Sequence, residues 1–125
     1  MWQYRNIDNR NPKIMILAIS STGNRLHSTI DQRFARCPWF LIYNGKTEAY
    51  GFYPNNLNDK LEGVGQQVVK FMIDNKVQLV VSGNFGQKIK QEFDKASIGL
   101  IIFENKKITL EEVLHFFQLN PKHKI

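Results

Sequence analysis

The sequence predicts an α/β domain built on one mixed β-sheet, and three observations carry that prediction. Residues 12–20, PKIMILAIS, form an almost unbroken apolar run stopped by Ser-Ser-Thr-Gly, the pattern of a central strand buried on both faces. Two more such runs, VQLVVSG (77–83) and IGLIIFE (98–104), each follow a stretch of helical periodicity, which gives the helix-strand alternation of a parallel sheet. Between the first run and the first helix lie two aromatic, β-prone runs separated by Asn44-Gly45, a hairpin signal.

Each element follows from its residues in turn. The first strand, 12–20, is set by its Ile and Leu content, and WFLIY (39–43) and EAYGFY (48–53) are the antiparallel hairpin strands. In EGVGQQVVKFMIDNK, Val64, Val68, Phe71 and Met72, with Val69 beside them, share one stripe of an amphipathic helix that frays at Asp74-Asn75. VQLVVSG is the fourth strand. NFGQKIKQEFDKA (84–96) spaces Phe85, Ile89 and Phe93 four residues apart, as one face of a second helix requires. IGLIIFE is the fifth strand, and TLEEVLHFF (109–117) is a third helix with Thr109 and Glu112 at the spacing of a capping box. Residues 1–12 and 120–125 read as tails around a single domain at 13–119. Right-handed crossovers from the third strand to the fourth and on to the fifth give the spatial order 3-2-1-4-5 with strand 2 antiparallel. That is the order of ribonuclease H-like three-layer folds.

A chain of 125 residues, 42% hydrophobic and 12% aromatic, carries enough apolar surface for a real core, which excludes a disordered chain. No apolar run has the length of a membrane span, and the opening MWQYRNIDNRNP lacks the apolar segment of a secretory signal. A cytoplasmic protein with no membrane partner is therefore expected. Lys and Arg outnumber Asp and Glu by 17 to 11, a net charge of +6, which favours anionic partners. The basic residues are dispersed, and the densest stretch, PKHKI at the C-terminus, reads as a solvated tail, so nucleic acid ranks below a small anion.

With the first, third, fourth and fifth strands pointing one way, their carboxyl ends share a rim, where ligand sites of open α/β sheets lie. Four loops meet there: 20–38, 54–65, 82–86 and 104–107. The first is far longer than a compact connection needs, which marks it as a candidate for function. It ends in IDQRFARCPWF (30–40), with two arginines and the chain's one cysteine. One cysteine forms no internal disulfide and no CxxC pair, so Cys37 is core filler, a reactive thiol or one ligand of a group held mostly by others. Arg33 and Arg36 would lower its pKa if their guanidinium groups reach it. The bland alternative is that Ile30, Phe34 and Trp39 pin the loop, Asp31 pairs with Arg33 or Arg36, and Cys37 is buried beside Pro38.

Gly63 and Gly65 open the first helix, and Gly83, Asn84 and Gly86 precede the second, so unpaired helix N-terminal amides face the same rim and favour an anion. Neither turn is a phosphate loop: G-x-x-x-x-G-K-[ST] is missing, and Val68 occupies the third glycine position of G-x-G-x-x-G. His27, in the long loop, is a second candidate metal ligand, whereas His115 and His123 read as surface residues. The first strand has no carboxylate for a two-metal nuclease site, and no G-x-S-x-G elbow or Cys-His arrangement is evident, so no enzymatic activity and no catalytic residue are expected.

Taken in order, SSTGNRL after the first strand, IDQRFARCPWFLIY, EGVGQQVVKFMIDNKVQLVVSGNFGQKIKQEF and IGLIIFE make the chain resemble the dinitrogenase iron-molybdenum cofactor biosynthesis family, from about Lys13 to Phe117. The resemblance implies a ribonuclease H-like fold and an accessory protein that binds, carries or protects iron-molybdenum cofactor or its iron-sulfur precursors. It also implies partners that assemble or accept the cofactor. Well-known members carry Asp-Gln-His-Phe-Gly in the long loop, with the histidine regarded as a cofactor contact. Here the matching residues are Asp31, Gln32, Arg33, Phe34 and Ala35, so an arginine stands in the histidine position. A guanidinium donates hydrogen bonds and stays charged, and is no ordinary metal ligand. Ligation would then fall to Cys37, with His27 second, and one thiolate would require a labile or dimer-shared cluster, which keeps a homodimer open.

The leading expectation is a non-catalytic carrier whose rim, formed by Arg33, Arg36, Cys37, Gly63, Gly65, Gly83, Asn84 and Gly86, holds an anionic iron-sulfur or iron-molybdenum type metallocluster. The alternative is a regulatory module that binds a small anion or nucleotide on the same rim without metal.

Overall fold

The structure, a computed structural model, describes residues 2–5, 11–57 and 62–125. Its elements run β1 (Trp2–Arg5), β2 (Ile16–Ser21), β3 (Trp39–Asn44), β4 (Ala49–Pro54), α1 (Val64–Asp74), β5 (Leu79–Ser82), α2 (Gln87–Lys95), β6 (Gly99–Phe103), α3 (Leu110–Phe116) and β7 (His123–Lys124). Strands β2, β5 and β6 are mutually parallel and β3 is antiparallel to both β2 and β4, so β2, β4, β5 and β6 point the same way.

The sheet order is β1-β6-β5-β2-β3-β4-β7. Its middle five strands have the expected sequence of neighbours, but among the described residues the sheet has seven strands and not five. The two additions come from segments expected to be tails: β1 lies antiparallel on β6 and β7 parallel on β4. Residue 1 and residues 6–10 of the first segment lie outside the described residues, as do 58–61 of the expected rim loop 54–65. The physical reason for the extra strands is that β6 and β4 would otherwise present a row of unpaired backbone groups. Runs of four and two residues are too short to show strand periodicity, so sequence pattern alone could not predict them.

The sheet separates two cores. On one face Ala18 and Val80 pack with Phe40, with Val64, Val68, Val69 and Met72 of α1, and with Ile89 and Phe93 of α2. On the other, Leu17, Ile19, Leu79 and Val81 pack with Leu110, Val113 and Leu114 of α3. The alternation of Leu17, Ala18 and Ile19 between these clusters is the period-two geometry of a strand covered on both faces. Removing the ring of a fully buried residue such as Phe93 would cost about 3–5 kcal/mol.

Local details refine the sequence reading. Pro12–Ile14 form a 3-10 turn, with the Asn11 side chain accepting from the Lys13 amide, so β2 starts later than the apolar run. The hairpin at Asn44-Gly45 is not a two-residue turn. It spans 45–48, and the left-handed position is taken by Glu48 at φ 64°. Gly45 is required for a different reason: a Cβ there would lie 2.6 Å from the carbonyl oxygens of both Pro12 and Lys13. At α3 the capping box forms as expected, with Thr109 Oγ1 accepting from the Glu112 amide at 3.1 Å and Glu112 Oε1 accepting from the Thr109 amide at 2.9 Å.

Buried Tyr43 ties the C-terminal segment down: its hydroxyl donates to the Asn120 carbonyl at 3.0 Å and accepts from the Asn120 amide at 3.2 Å. Tyr43→Phe is expected to lower stability by about 1 kcal/mol. It should also speed amide exchange at 122–125, read by urea unfolding and hydrogen exchange.

Candidate functional site

The Asp31 peptide fastens the long loop to the ends of both β2 and β5. The Asp31 amide donates to the Ser20 carbonyl at the end of β2, and its own carbonyl accepts from the Gly83 amide, each at 3.0 Å. The Ser20 and Ser82 hydroxyls lie 2.9 and 3.2 Å from the same carbonyl and 2.8 Å from each other. All of these groups are buried, so each would be strongly disfavoured without its partners.

Beyond Asp31 the loop is pinned twice. Phe34 enters the core against Phe40, Phe85 and Phe93, with ring centroids 5.1, 5.2 and 5.5 Å away. Buried Asn55, just after β4, donates from Nδ2 to the Ala35 and Cys37 carbonyls at 2.9 and 2.8 Å. Residues 32–36 are thereby held over the carboxyl ends of the strands, between the starts of α1 and α2.

A cleft of about 860 Å³ opens there, lined by residues 32–36, by 62–66 and by 84–86 with Lys88, Ile89, Gln91 and Glu92. That volume suits a small-molecule or cofactor-sized ligand. Both helices enter it without a side-chain cap, from Gly63 at φ 71° and from Gly86, and neither has an acidic residue in its first turn. Their first amides have no intrahelical acceptor, and each helix start carries a partial positive charge of roughly half a unit. Arg33, Arg36 and Lys88 face Glu62 and Glu92 among the lining residues, an excess of cations.

Arg33 is a positioned cation. Its side chain is 64% exposed while that of Asp31 is 6% exposed, so the pair stands at the cleft wall with its anionic end in the protein. Asp31 Oδ1 accepts from the Arg33 amide at 2.8 Å and from Nε at 3.2 Å, and Oδ2 accepts from Nη2 at 3.3 Å. These bonds raise the guanidinium pKa still further, so Arg33 stays charged throughout the accessible pH range.

The structure brings Arg33, Arg36, Gly63, Gly65, Asn84 and Gly86 to this one cleft. Three sequence candidates lie elsewhere. Gly83 is buried behind the wall, where its amide serves the Asp31 carbonyl and its missing side chain makes room for Gln32. His27 is exposed in the outer part of the long loop and is not among the lining residues.

Cys37, expected as a metal ligand, is not among the residues that line the cleft. It is fully buried, its thiol donates to the Phe34 and Trp39 carbonyls at 3.2 Å each, and it belongs to the aromatic core. Burial pushes its pKa up to about 12, the reverse of what neighbouring arginines would do. Among the described residues no group of three or more His, Cys, Asp or Glu side chains could hold a metal ion. The alternative of a core cysteine in a pinned loop, with Asp31 paired to Arg33, accounts for these positions.

Sequence reasoning missed Gln32 and Asn55. The side-chain nitrogen of Gln32 is buried without a hydrogen-bond partner among the described residues. Asn55 looks like any turn residue in PNNLND, and Gln32, though it falls within the family-like Asp31–Ala35 stretch, reads as a polar loop residue; neither has a periodic signal.

Fold and cleft together define a three-layer α/β domain with a cationic, ligand-sized cleft at the carboxyl rim of its sheet. No described helix is long and apolar enough to cross a membrane. The chain belongs to the dinitrogenase iron-molybdenum cofactor family, whose model matches residues 15–120. Among solved structures it is similar to a candidate NifB protein from Thermotoga placed in the DUF35 family, at 27% identity over 83% of this chain and 87% of that one, with a TM-score of 0.72. It is also similar to the apo form of the orange protein from Desulfovibrio gigas, at 20% identity over 87% and 93%, with a TM-score of 0.74. A third, a candidate dinitrogenase from Methanocaldococcus jannaschii, matches at 20% identity over 86% and 94%, with a TM-score of 0.56. No curated protein matches the chain.

The state of Cys37 gives a direct test. A thiol whose pKa is raised on folding contributes stability that is complete below its unfolded value of about 8.5 and is lost as pH rises through the folded value of about 12. Stability is therefore expected to fall above about pH 8.5 with a component that Cys37→Ala removes. A thiol-specific reagent at pH 8 should leave the folded protein unlabelled and label it fully in denaturant.

Proposed function

We propose that this chain is a non-catalytic binding or carrier protein for an anionic metallocluster of the iron-sulfur or iron-molybdenum type, on a ribonuclease H-like domain. The observation that carries the reading is the cleft itself, where two uncapped helix starts and the fixed Arg33 cation converge in a member of a cofactor family. The donor set fits the outer, anionic atoms of such a cargo and does not fit a bare metal ion, which would need thiolate, imidazole or clustered carboxylates. The cargo is thus held by charge and hydrogen bonds. Such a mode suits a protein that must later give the cargo up to an acceptor.

A second reading has its own support. The absence of soft ligands from the lining residues also fits a regulatory module for a metal-free small anion such as citrate or a nucleotide.

The test is reconstitution of anaerobically purified protein with iron, molybdate and sulfide, followed by metal and sulfide analysis and a visible spectrum. Wild type and Cys37→Ser are expected to retain cluster equally, whereas Arg33→Glu should lose about tenfold or more in retention, the effect of reversing one positioned charge. A colourless, metal-free wild type would sink the carrier reading. Stabilisation by citrate or a nucleotide in that protein would favour the second.

A further inference from the structure

We propose that Gln32 is a specificity-determining residue of this cleft: its side-chain amide is an unused hydrogen-bond donor held ready for acceptor atoms on the bound anion. The inference rests on the cleft being the binding site, as the function proposed above requires.

Gln32 lines the cleft, yet its Nε2 is sealed from solvent and has no partner among the described residues. The carboxamide lies flat on Gly83, so close that a Cβ at that position would collide with Nε2, Cδ and Oε1. Neither chain neighbour can move to relieve it. Asp31 is bound to both strands through its peptide, and the Arg33 amide is bound to Asp31 Oδ1. Only the Gln32 side chain is free to turn.

A polar residue kept for structure normally has its hydrogen bonds satisfied in the folded chain, and the great majority do. Gln32 departs from that rule at the wall of a ligand-sized cleft. Water does not reach the nitrogen in this position, and a turn of the side chain into the cleft would bring it to an acceptor on a ligand. Arg33 next to it contributes an oriented charge, and the amide adds a neutral donor. The pair selects an anion whose surface carries several acceptor atoms, whether oxo, sulfido or carboxylate.

The proposal predicts effects of opposite sign on stability and binding. Gln32→Met keeps the length of the side chain and removes both donors. The ligand-free variant is expected to melt at the wild-type temperature or above it, because a buried unpaired donor has been removed. After reconstitution with iron, molybdate and sulfide, it should release metal about tenfold faster than wild type on gel filtration, the effect of one hydrogen bond to a charged acceptor. Gln32→Glu, which sets a carboxylate against the anion, should release it faster still. Equal retention by wild type and Gln32→Met would overturn the role of Gln32 while leaving the cleft as the site. A wild type that retains no metal would overturn the cluster reading itself, and the role of Gln32 with it.

Discussion

The architecture of the rim depends on the main chain of Asp31. Its peptide is the point at which a long irregular loop is tied to two parallel strands, β2 and β5, that are distant in sequence. The tie is made where the sheet's connections leave in opposite directions, a place where strand ends splay and a crevice forms. Two buried serine hydroxyls and a glycine amide close around one carbonyl, so the loop cannot shift without stranding several polar groups at once. The cleft is therefore preorganised by backbone, and its side chains inherit their places from that grip.

The same peptide accounts for the chemistry of the wall. A lone arginine on a loop would sweep a wide volume and lose rotamer entropy on meeting a ligand. Here the carboxylate beneath it accepts from both its amide and its guanidinium, so part of that entropy is already lost in the free protein. Surface pairs of this kind contribute little to stability, and the value of this one lies in orientation. Arg33 attracts anions and is no ordinary metal ligand, and Cys37 is enclosed in the core.

Much of this was legible in the residues, and the boundary is physical. The central strands and three helices were readable because each repeats a period over enough residues to name a face, as Val64, Val68 and Met72 do. Phe34 and Ile30 could be seen as loop anchors because bulky apolar residues in a polar stretch must be buried. Cys37 was ambiguous because burial and cationic neighbours push a thiol in opposite directions, and only depth decides between them. Gln32 was invisible, since what distinguishes it is a missing partner, a property of three-dimensional packing. Gly83 drew attention as a turn glycine, but its small size matters through contact with a residue far away in sequence.

The two outermost strands lie outside the stretch that matches the family. The sheet's lateral boundaries are thus closed by β1 and β7, while the cleft is set in the middle. Edge protection and the cleft are consequently written in separate segments, free to drift independently. An insertion beside His123–Lys124 would burden the strap over β4 and invite neighbouring molecules to exchange it, with the cleft untouched.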